Sequence, residues 1–204
     1  MSPLFMIYSI HSNIVSIRIL MMLIIFCSLP ERSQATATSS KDSAFNEVIN
    51  HAAKRHSVNP NLIKAVIWQE SRFKKAAVGD AGEVGLMQIM TPAVKDWAKE
   101  YKVRLPTKRL LFDPSVNIEI GTWYLARAMR RWHNYKYVEA LALCEYNAGR
   151  RGMRNWVPDE LHGSVDIKLR LTYNYVTNIL KRYVEYCSQS EPQKKMAYTT
   201  SRRP

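Results

Sequence analysis

The sequence lacks the patterns of a metalloprotein, a β-protein or a repeat protein. It has 3 cysteines and 5 histidines, and none of them are spaced like zinc ligands. No stretch alternates apolar and polar residues well enough to predict a strand, apart from a short hairpin between Ala77 and Val84, where glycines mark turns. No segment is repeated. We therefore predict a mostly α-helical single domain with no metal and no cofactor.

Acidic residues are also scarce. Lysine and arginine number 30 against 17 aspartates and glutamates, which gives a net charge of +13. Such an excess can indicate a nucleic-acid partner, but the chain has no arginine-rich helix, zinc-ligand cluster or ribonucleoprotein-like aromatic motif. A basic surface without a particular partner is one explanation. An acidic polymer outside the cell fits better, and we predict no nucleic-acid partner.

Residues 1–37 differ from the rest of the chain and have the outline of an export signal. Arg18 precedes an apolar run from Ile19 to Leu29, and small residues follow at 35–37. The run is shorter than the roughly 20 residues that span a membrane. We expect this segment to be cleaved from an exported, periplasmic protein. The alternative is an uncleaved anchor in the inner membrane.

Helical spacing places one carboxyl group on an apolar stripe. Asn59 and Pro60 are typical of an N-cap and a first helical residue, and Glu70 falls on the apolar stripe of the helix they begin. Glycines at 79–85 end the pattern, so Glu70 lies in the last turns, where the helix dipole disfavours an anion. Both effects favour the protonated acid near neutral pH. The alternative is a surface ion pair with Lys74.

Proline and glycine predict further helix ends. Thr91-Pro92 and Asp113-Pro114 each have a capping residue followed by a proline suited to the first helical position. Gly149 is expected to end a helix that begins near Tyr135. The last long helix is expected at residues 166–187.

Several short motifs follow one another in a fixed order along the chain. They are Glu70-Ser71-x-Phe73, Gly82, residues 85–90 (GLMQIM), Asn117-Ile118, Gly121, Tyr124-Leu125 and Tyr146-Asn147-Ala148-Gly149. Together they resemble the lytic transglycosylases of the soluble-transglycosylase type, over roughly residues 44–187. This resemblance implies a lysozyme-like fold and peptidoglycan glycan strands as the substrate.

The resemblance also implies a reaction and a set of site residues. A single glutamate, matched by Glu70, cleaves the β-1,4 bond between N-acetylmuramic acid and N-acetylglucosamine, acting first as an acid and then as a base. The 6-hydroxyl of the same muramic acid attacks in place of water, which leaves a 1,6-anhydromuramyl end. Tyr175 is expected to orient Glu70. The expected substrate contacts are Gln88, Met90, Tyr124, Tyr146 and Asn147.

Some of these residues have an alternative role. Glu145 could be a second carboxylate that positions water, as in a hydrolytic muramidase or chitinase of the same fold, or it could pair with an arginine at the surface. Met90 could pack in the core, and Tyr146 and Asn147 could be ordinary buried, hydrogen-bonded residues. Gly79 departs from the family pattern, because many members have a substrate-contacting serine there.

The remaining expectations concern organisation and context. We predict a linker at 38–43, the catalytic domain at 44–188 and a basic mobile tail at 189–204, in a monomer. Cys144 and Cys187 could form a disulfide, or Cys144 could be a buried free thiol. The basic tail and the lack of a wall-binding repeat favour local wall opening for a secretion or conjugation apparatus over general wall turnover. A non-catalytic, wall-binding component of such an apparatus is the remaining alternative.

Overall fold

The computed structural model describes residues 42–200, with side chains described for 42–190. This part of the chain contains α1 (Asn46–His56), α2 (Pro60–Ser71), α3 (Thr91–Glu100), α4 (Pro114–Arg131), α5 (Val138–Gly152) and α6 (Arg170–Thr200). Single turns of 3-10 helix lie at Leu110–Phe112 and Arg154–Trp156. The described residues contain no strand longer than an isolated bridge, and these bridges pair Val84 with Val78 and with Ile89. The prediction of a mostly α-helical fold is confirmed, and the predicted hairpin is reduced to these bridges.

Helices α2 and α4 form the centre of the domain. Helix α4 packs against α1, α3 and α5, and α2 packs against α1 and α6. Four aliphatic side chains of α2 are at most 1% exposed: Leu62, Ile63, Val66 and Ile67. Burial of a side chain of this size stabilises the fold by about 1.5–3 kcal/mol. The apolar stripe thus fixes the rotation of α2, and with it the direction in which Glu70 points.

Two of the predicted helix starts are confirmed, and one is displaced. The side chain of Asn59 accepts a hydrogen bond from the backbone of Asn61 at the start of α2. Asp113 caps α4 in the same way, with bonds from the two backbone N–H groups that follow Pro114. Thr91 was expected to cap α3 but is its first helical residue. The cap is Met90, whose side chain makes no capping bond.

The ends of α5 and α6 also differ from the prediction. Helix α5 begins at Val138, three residues later than expected, and bends at Gly149, whose φ of 69° is left-handed. Helix α6 begins at Arg170 and continues to Thr200, well beyond the predicted end at residue 187. Ser190 explains part of this extension, because its hydroxyl bonds the backbone of α6 and also accepts from Asn61 of α2.

Parts of the predicted organisation lie outside the described residues. These are the signal segment at 1–37, most of the linker, and residues 201–204 of the tail. Residues 189–200, predicted as a tail without regular structure, are part of α6. Asp42, at the end of the predicted linker, is buried and accepts a 2.6 Å hydrogen bond from Tyr186 of α6. None of the helices between residues 42 and 200 is both long and apolar enough to cross a bilayer.

Candidate active site

Glu70 lies one residue before the end of α2, at the edge of the core. The phenol of Tyr175, from α6, donates a 2.5 Å hydrogen bond to its Oε1 atom. Burial raises the pKa of Glu70 to about 7, although the Tyr175 hydrogen bond lowers it, and the like charge of Glu83 raises it further. Among the described residues Glu70 forms no ion pair, so the predicted alternative of a pair with Lys74 is not what the structure contains. Glu70 is therefore suited to donate a proton near neutral pH.

A cavity of about 250 Å³ brings together five of the residues expected from the sequence. They are Gln88, Met90, Tyr124, Tyr146 and Asn147. Met90 is 44% exposed, which excludes the alternative of a core position for it. The rings of Tyr124 and Tyr146 lie edge to face with centroids 5.6 Å apart. Aromatic side chains at such a wall suit the apolar faces of pyranose rings.

Tyr146 and Asn147 hold the wall of this cavity to neighbouring elements. The phenol of Tyr146 donates to the backbone oxygen of Met87 at 2.8 Å, and burial raises its pKa well above the usual range, with the charge of Glu70 contributing. Asn147 accepts a 2.8 Å bond from the hydroxyl of Thr172 on α6. Helix α5 is thereby tied both to the loop that carries Gln88 and to the helix that carries Tyr175.

The loop from Ala77 to Gln88 is held by side chains bonded to its backbone. Gln88 has a left-handed φ of 45°, and its Nε2 group donates to the backbone oxygens of Gly85, at 2.9 Å, and Ala77, at 3.3 Å. Ser71, next to Glu70, donates a 2.8 Å bond to the backbone of Leu86. These bonds connect the loop to the end of α2, so Gln88 and Glu70 are positioned together.

Asn117 of α4 is a second anchor of this loop. Its Oδ1 accepts from the backbone N–H of Met87 at 2.8 Å, and its Nδ2 donates to the backbone oxygens of Val84 and Leu111 at 2.9 and 2.8 Å. A β-carbon at Gly85 would lie 2.2 Å from that Nδ2 atom, so only glycine fits there. The sequence assigned no role to Asn117. Its place in the Asn117-Ile118 motif is the signal that could have indicated one.

The structure does not bring Glu145 into the cavity. Its carboxylate is buried, with Oε1 at 2.8 Å from Nη1 of Arg131 and Oε2 accepting a 2.9 Å bond from Nε1 of Trp132. Successive helical residues point about 100° apart, so Glu145 faces the core although Tyr146 beside it lines the cavity. The pairing with an arginine, which the sequence left open, is the arrangement found. No substrate can reach this carboxylate in the folded state.

Glu83 was missed by the sequence analysis. It lies in the loop between Ala77 and Gln88, and its charge raises the pKa of Glu70. The available signal was a carboxylate within a glycine-rich segment that follows Glu70 closely in the chain.

The two cysteines in the described part of the chain, Cys144 and Cys187, are not joined by a disulfide. Cys144 is buried and free, and burial raises the pKa of its thiol to about 12. Cys187 is also free and accepts a long contact of 3.6 Å from the side-chain amide of Asn61. Across the described part of the chain, no group of three or more histidine, cysteine, aspartate or glutamate side chains is arranged to hold a metal ion.

The chain is similar in sequence to known lytic transglycosylases. It is 40% identical over 81 residues to the membrane-bound lytic murein transglycosylase C of Klebsiella pneumoniae (strain 342), a match that covers 39% of this chain and 22% of that protein. The corresponding protein of Salmonella arizonae is 38% identical over 81 residues, again with 39% and 22% covered. The match therefore spans about a fifth of the length of these relatives.

Solved structures and a family model lead to the same assignment. An inactive mutant of the lytic transglycosylase Slt from Pseudomonas aeruginosa superposes with a TM-score of 0.64 at 29% identity, covering 71% of this chain and 24% of that one. The 70 kDa soluble lytic transglycosylase of Escherichia coli superposes with a TM-score of 0.61 at 26% identity, with the same coverage of 71% and 24%. The model of the transglycosylase SLT domain matches residues 47–166. More than half of the chain lies within that match, and the protein belongs to the transglycosylase SLT family.

Proposed function

We propose that this protein cleaves the β-1,4 bond between N-acetylmuramic acid and N-acetylglucosamine in peptidoglycan and leaves 1,6-anhydromuramyl ends. The observation that carries the proposal is Glu70 itself, a partly buried acid with a pKa of about 7, whose charge acts on Tyr146 in the aromatic wall of the cavity. The relatives that match the chain are named lytic transglycosylases, which supports the same reaction.

In the first step, Glu70 acts as a general acid. Tyr175 donates its hydroxyl hydrogen to Oε1, which leaves Oε2 as the oxygen that carries the proton. That proton goes to the bridging oxygen as the glycosidic bond breaks, and N-acetylglucosamine leaves with a free 4-hydroxyl. The acetamido oxygen of the muramic acid stabilises the positive charge that develops at its anomeric carbon.

In the second step, Glu70 acts as a general base. Its carboxylate takes the proton of the muramic acid 6-hydroxyl as that oxygen bonds to the anomeric carbon, which closes the anhydro ring and restores the protonated acid. The 6-hydroxyl is held on the reacting sugar itself, so its effective concentration far exceeds that of an external nucleophile. Gln88, Met90, Tyr124, Tyr146 and Asn147 hold the sugars against the cavity in this proposal.

The cellular role we propose is local opening of the wall for a secretion or conjugation apparatus, by an exported, periplasmic and monomeric protein. The net charge of +13 suits an acidic wall or outer surface. General wall turnover is the alternative, and it predicts that deletion changes bulk release of wall fragments instead of assembly of one apparatus.

Digestion of purified sacculi tests the reaction. We expect the wild-type protein to release anhydromuramyl ends, and Glu70→Gln to release them about a thousandfold more slowly. Glu160→Gln is the matched control, because it removes the same charge from an exposed residue outside the cavity. Fragments would be identified by chromatography and mass spectrometry. Biological activity unchanged in Glu70→Gln would instead support the non-catalytic, wall-binding alternative.

A further inference from the structure

Glu83 is held in a fixed place by its own loop. The backbone N–H of Gly79 donates to the backbone oxygen of Glu83 at 2.9 Å, beside the bridge between Val78 and Val84. At the side chain, Oε2 of Glu83 accepts a 3.0 Å bond from the backbone N–H of Ala81. The carboxylate is thus folded back over the turn and does not extend freely into solvent.

Gly79 is the residue that makes room for this carboxylate. A β-carbon at Gly79 would lie 2.3 Å from Oε2 of Glu83 and 2.9 Å from Oε1 of Gln88, both far inside contact distance. The two oxygens therefore lie together over the same glycine. Gln88 also lines the cavity, so the carboxylate lies beside a cavity-lining side chain. A serine at position 79 would collide with the Glu83 carboxylate in this position, so the glycine and the acid occur together here.

The Glu83 carboxylate has no partner that would explain it as a structural ion pair. Among the residues whose side chains are described, no cation lies within ion-pair distance of it. Its Oε2 atom accepts the bond from Ala81, and its Oε1 atom accepts none from these residues. Its charge acts on Glu70. Glu145, the other carboxylate considered for the site, is buried and fully bonded to Arg131 and Trp132.

The two oxygens over Gly79 form a suitable place for one water molecule. The Nε2 group of Gln88 is already bonded to Gly85 and Ala77, which turns its Oε1 acceptor toward Glu83. A water there can donate one hydrogen to Oε2 of Glu83, which can accept a second bond beside that from Ala81, and the other to Oε1 of Gln88. Its lone pairs then remain free to attack. Ordered waters of this kind need two to four polar partners, and two are present.

We propose that Glu83 is a second catalytic carboxylate, a general base, that gives this protein a hydrolytic muramidase activity beside transglycosylation. The proposal rests on the cleavage by Glu70 described above. Glu70 protonates the bridging oxygen and the glycosidic bond breaks. The water oxygen bonds to the anomeric carbon, Glu83 takes one water proton, and that proton is lost to solvent while Glu70 is reprotonated. The net change is addition of one water across the bond, and the product is a reducing muramic acid end.

Hydrolysis is the minor of the two outcomes. The 6-hydroxyl of the reacting sugar is covalently held near the anomeric carbon, whereas the water must be bound each time. We therefore expect a minority of reducing ends, formed in parallel with the anhydro ends from the first time points. They are primary products and do not arise later from anhydro ends.

The test compares both kinds of end in digests of purified sacculi, separated by chromatography and identified by mass. Glu83→Gln keeps the size of the side chain and removes its basicity, so the ratio of reducing ends to anhydro ends should fall about a hundredfold. Gly79→Ala should also lower this ratio, because its β-carbon displaces the Glu83 carboxylate, and it should slow total cleavage as well because the same β-carbon meets Oε1 of Gln88. Glu160→Gln is the control for lost charge, and thermal unfolding of each variant checks the fold.

Each outcome decides between the two proposals. Anhydro ends alone, or reducing ends that persist unchanged in Glu83→Gln, overturn the role of Glu83 and leave the proposed function intact. Reducing ends alone that depend on both Glu70 and Glu83 overturn transglycosylation and keep the role of Glu83. No cleavage by the wild-type protein overturns both.

Discussion

Glu70 and Glu145 are two partly or wholly buried carboxyl groups in one domain, and their surroundings differ. Glu145 has a partner for each oxygen, from Arg131 and Trp132. Among the described residues, the carboxyl group of Glu70 has a single hydrogen bond, from Tyr175, and a like charge acts on it. A carboxylate that is paired and bonded on both sides contributes to stability, whereas one left with an unused oxygen beside a cavity is available for proton transfer.

The largest stability effect should come from Glu145→Ala. Removing the carboxylate leaves Nε1 of Trp132 without its acceptor and Arg131 without its counter-ion, although Arg131 is partly exposed and can reach solvent. We expect the free energy of unfolding to fall by about 2–3 kcal/mol, less than for a fully buried pair. Chemical denaturation measures it. If activity per folded molecule fell as much as in Glu70→Gln, the contrast between the two residues would be wrong.

Glu70→Gln should increase the free energy of unfolding above pH 7, whereas Glu145→Ala decreases it. The pKa of Glu70 is raised from 4.5 to about 7 in the folded protein, so the folded state holds a proton that the unfolded state has lost between these values. Wild-type stability contributed by this group is therefore present below pH 4.5 and lost as pH rises to about 7. Because Glu70 is partly exposed, we expect the variant to be more stable by about 1–3 kcal/mol at pH 8 and equal at pH 4. Denaturation curves at both pH values measure this difference, and a difference independent of pH would contradict the assignment.

Tyr175→Phe should have a smaller effect on activity. This variant distinguishes a tyrosine that orients the Glu70 carboxyl group from one that only packs against it. The phenol bond lowers the pKa of Glu70, so its loss raises that pKa further. Cleavage requires protonated Glu70 and declines as pH rises through its pKa, so the declining limb should move to higher pH. We also expect about a tenfold loss at the optimum, because the carboxyl group is no longer oriented. A pH–rate profile measures both effects. A loss of activity with an unmoved limb would mean that Tyr175 only packs.

Local patterns in the sequence predicted what depends on neighbours along the chain. Asn59 and Asp113 were identified as caps because their oxygens bond N–H groups two or three residues away. The apolar stripe of α2 placed Glu70 at its helix end, and the family motifs placed Tyr175 beside it. These features repeat in many chains, so a single sequence is enough to read them.

The misses have a common physical cause. The partners of Glu145, Arg131 and Trp132, lie at the end of α4. The sequence of α5 alone does not indicate that they contact Glu145. The direction of Glu83 depends on a turn that has no helical or strand period. Helix α6 continues past residue 187 along α2, where Ser190 meets Asn61, a contact between residues far apart in the chain. Each case is decided by tertiary contacts.

Asn117 has a consequence for motion in the cleft. The amide hydrogen of Met87 belongs to a loop, yet it is bonded to a side chain of α4 that is 1% exposed. Its exchange with deuterium should therefore be as slow as that of the core helices, because it is released only when α4 itself opens. The loop that carries Gln88 should therefore move together with the core helices.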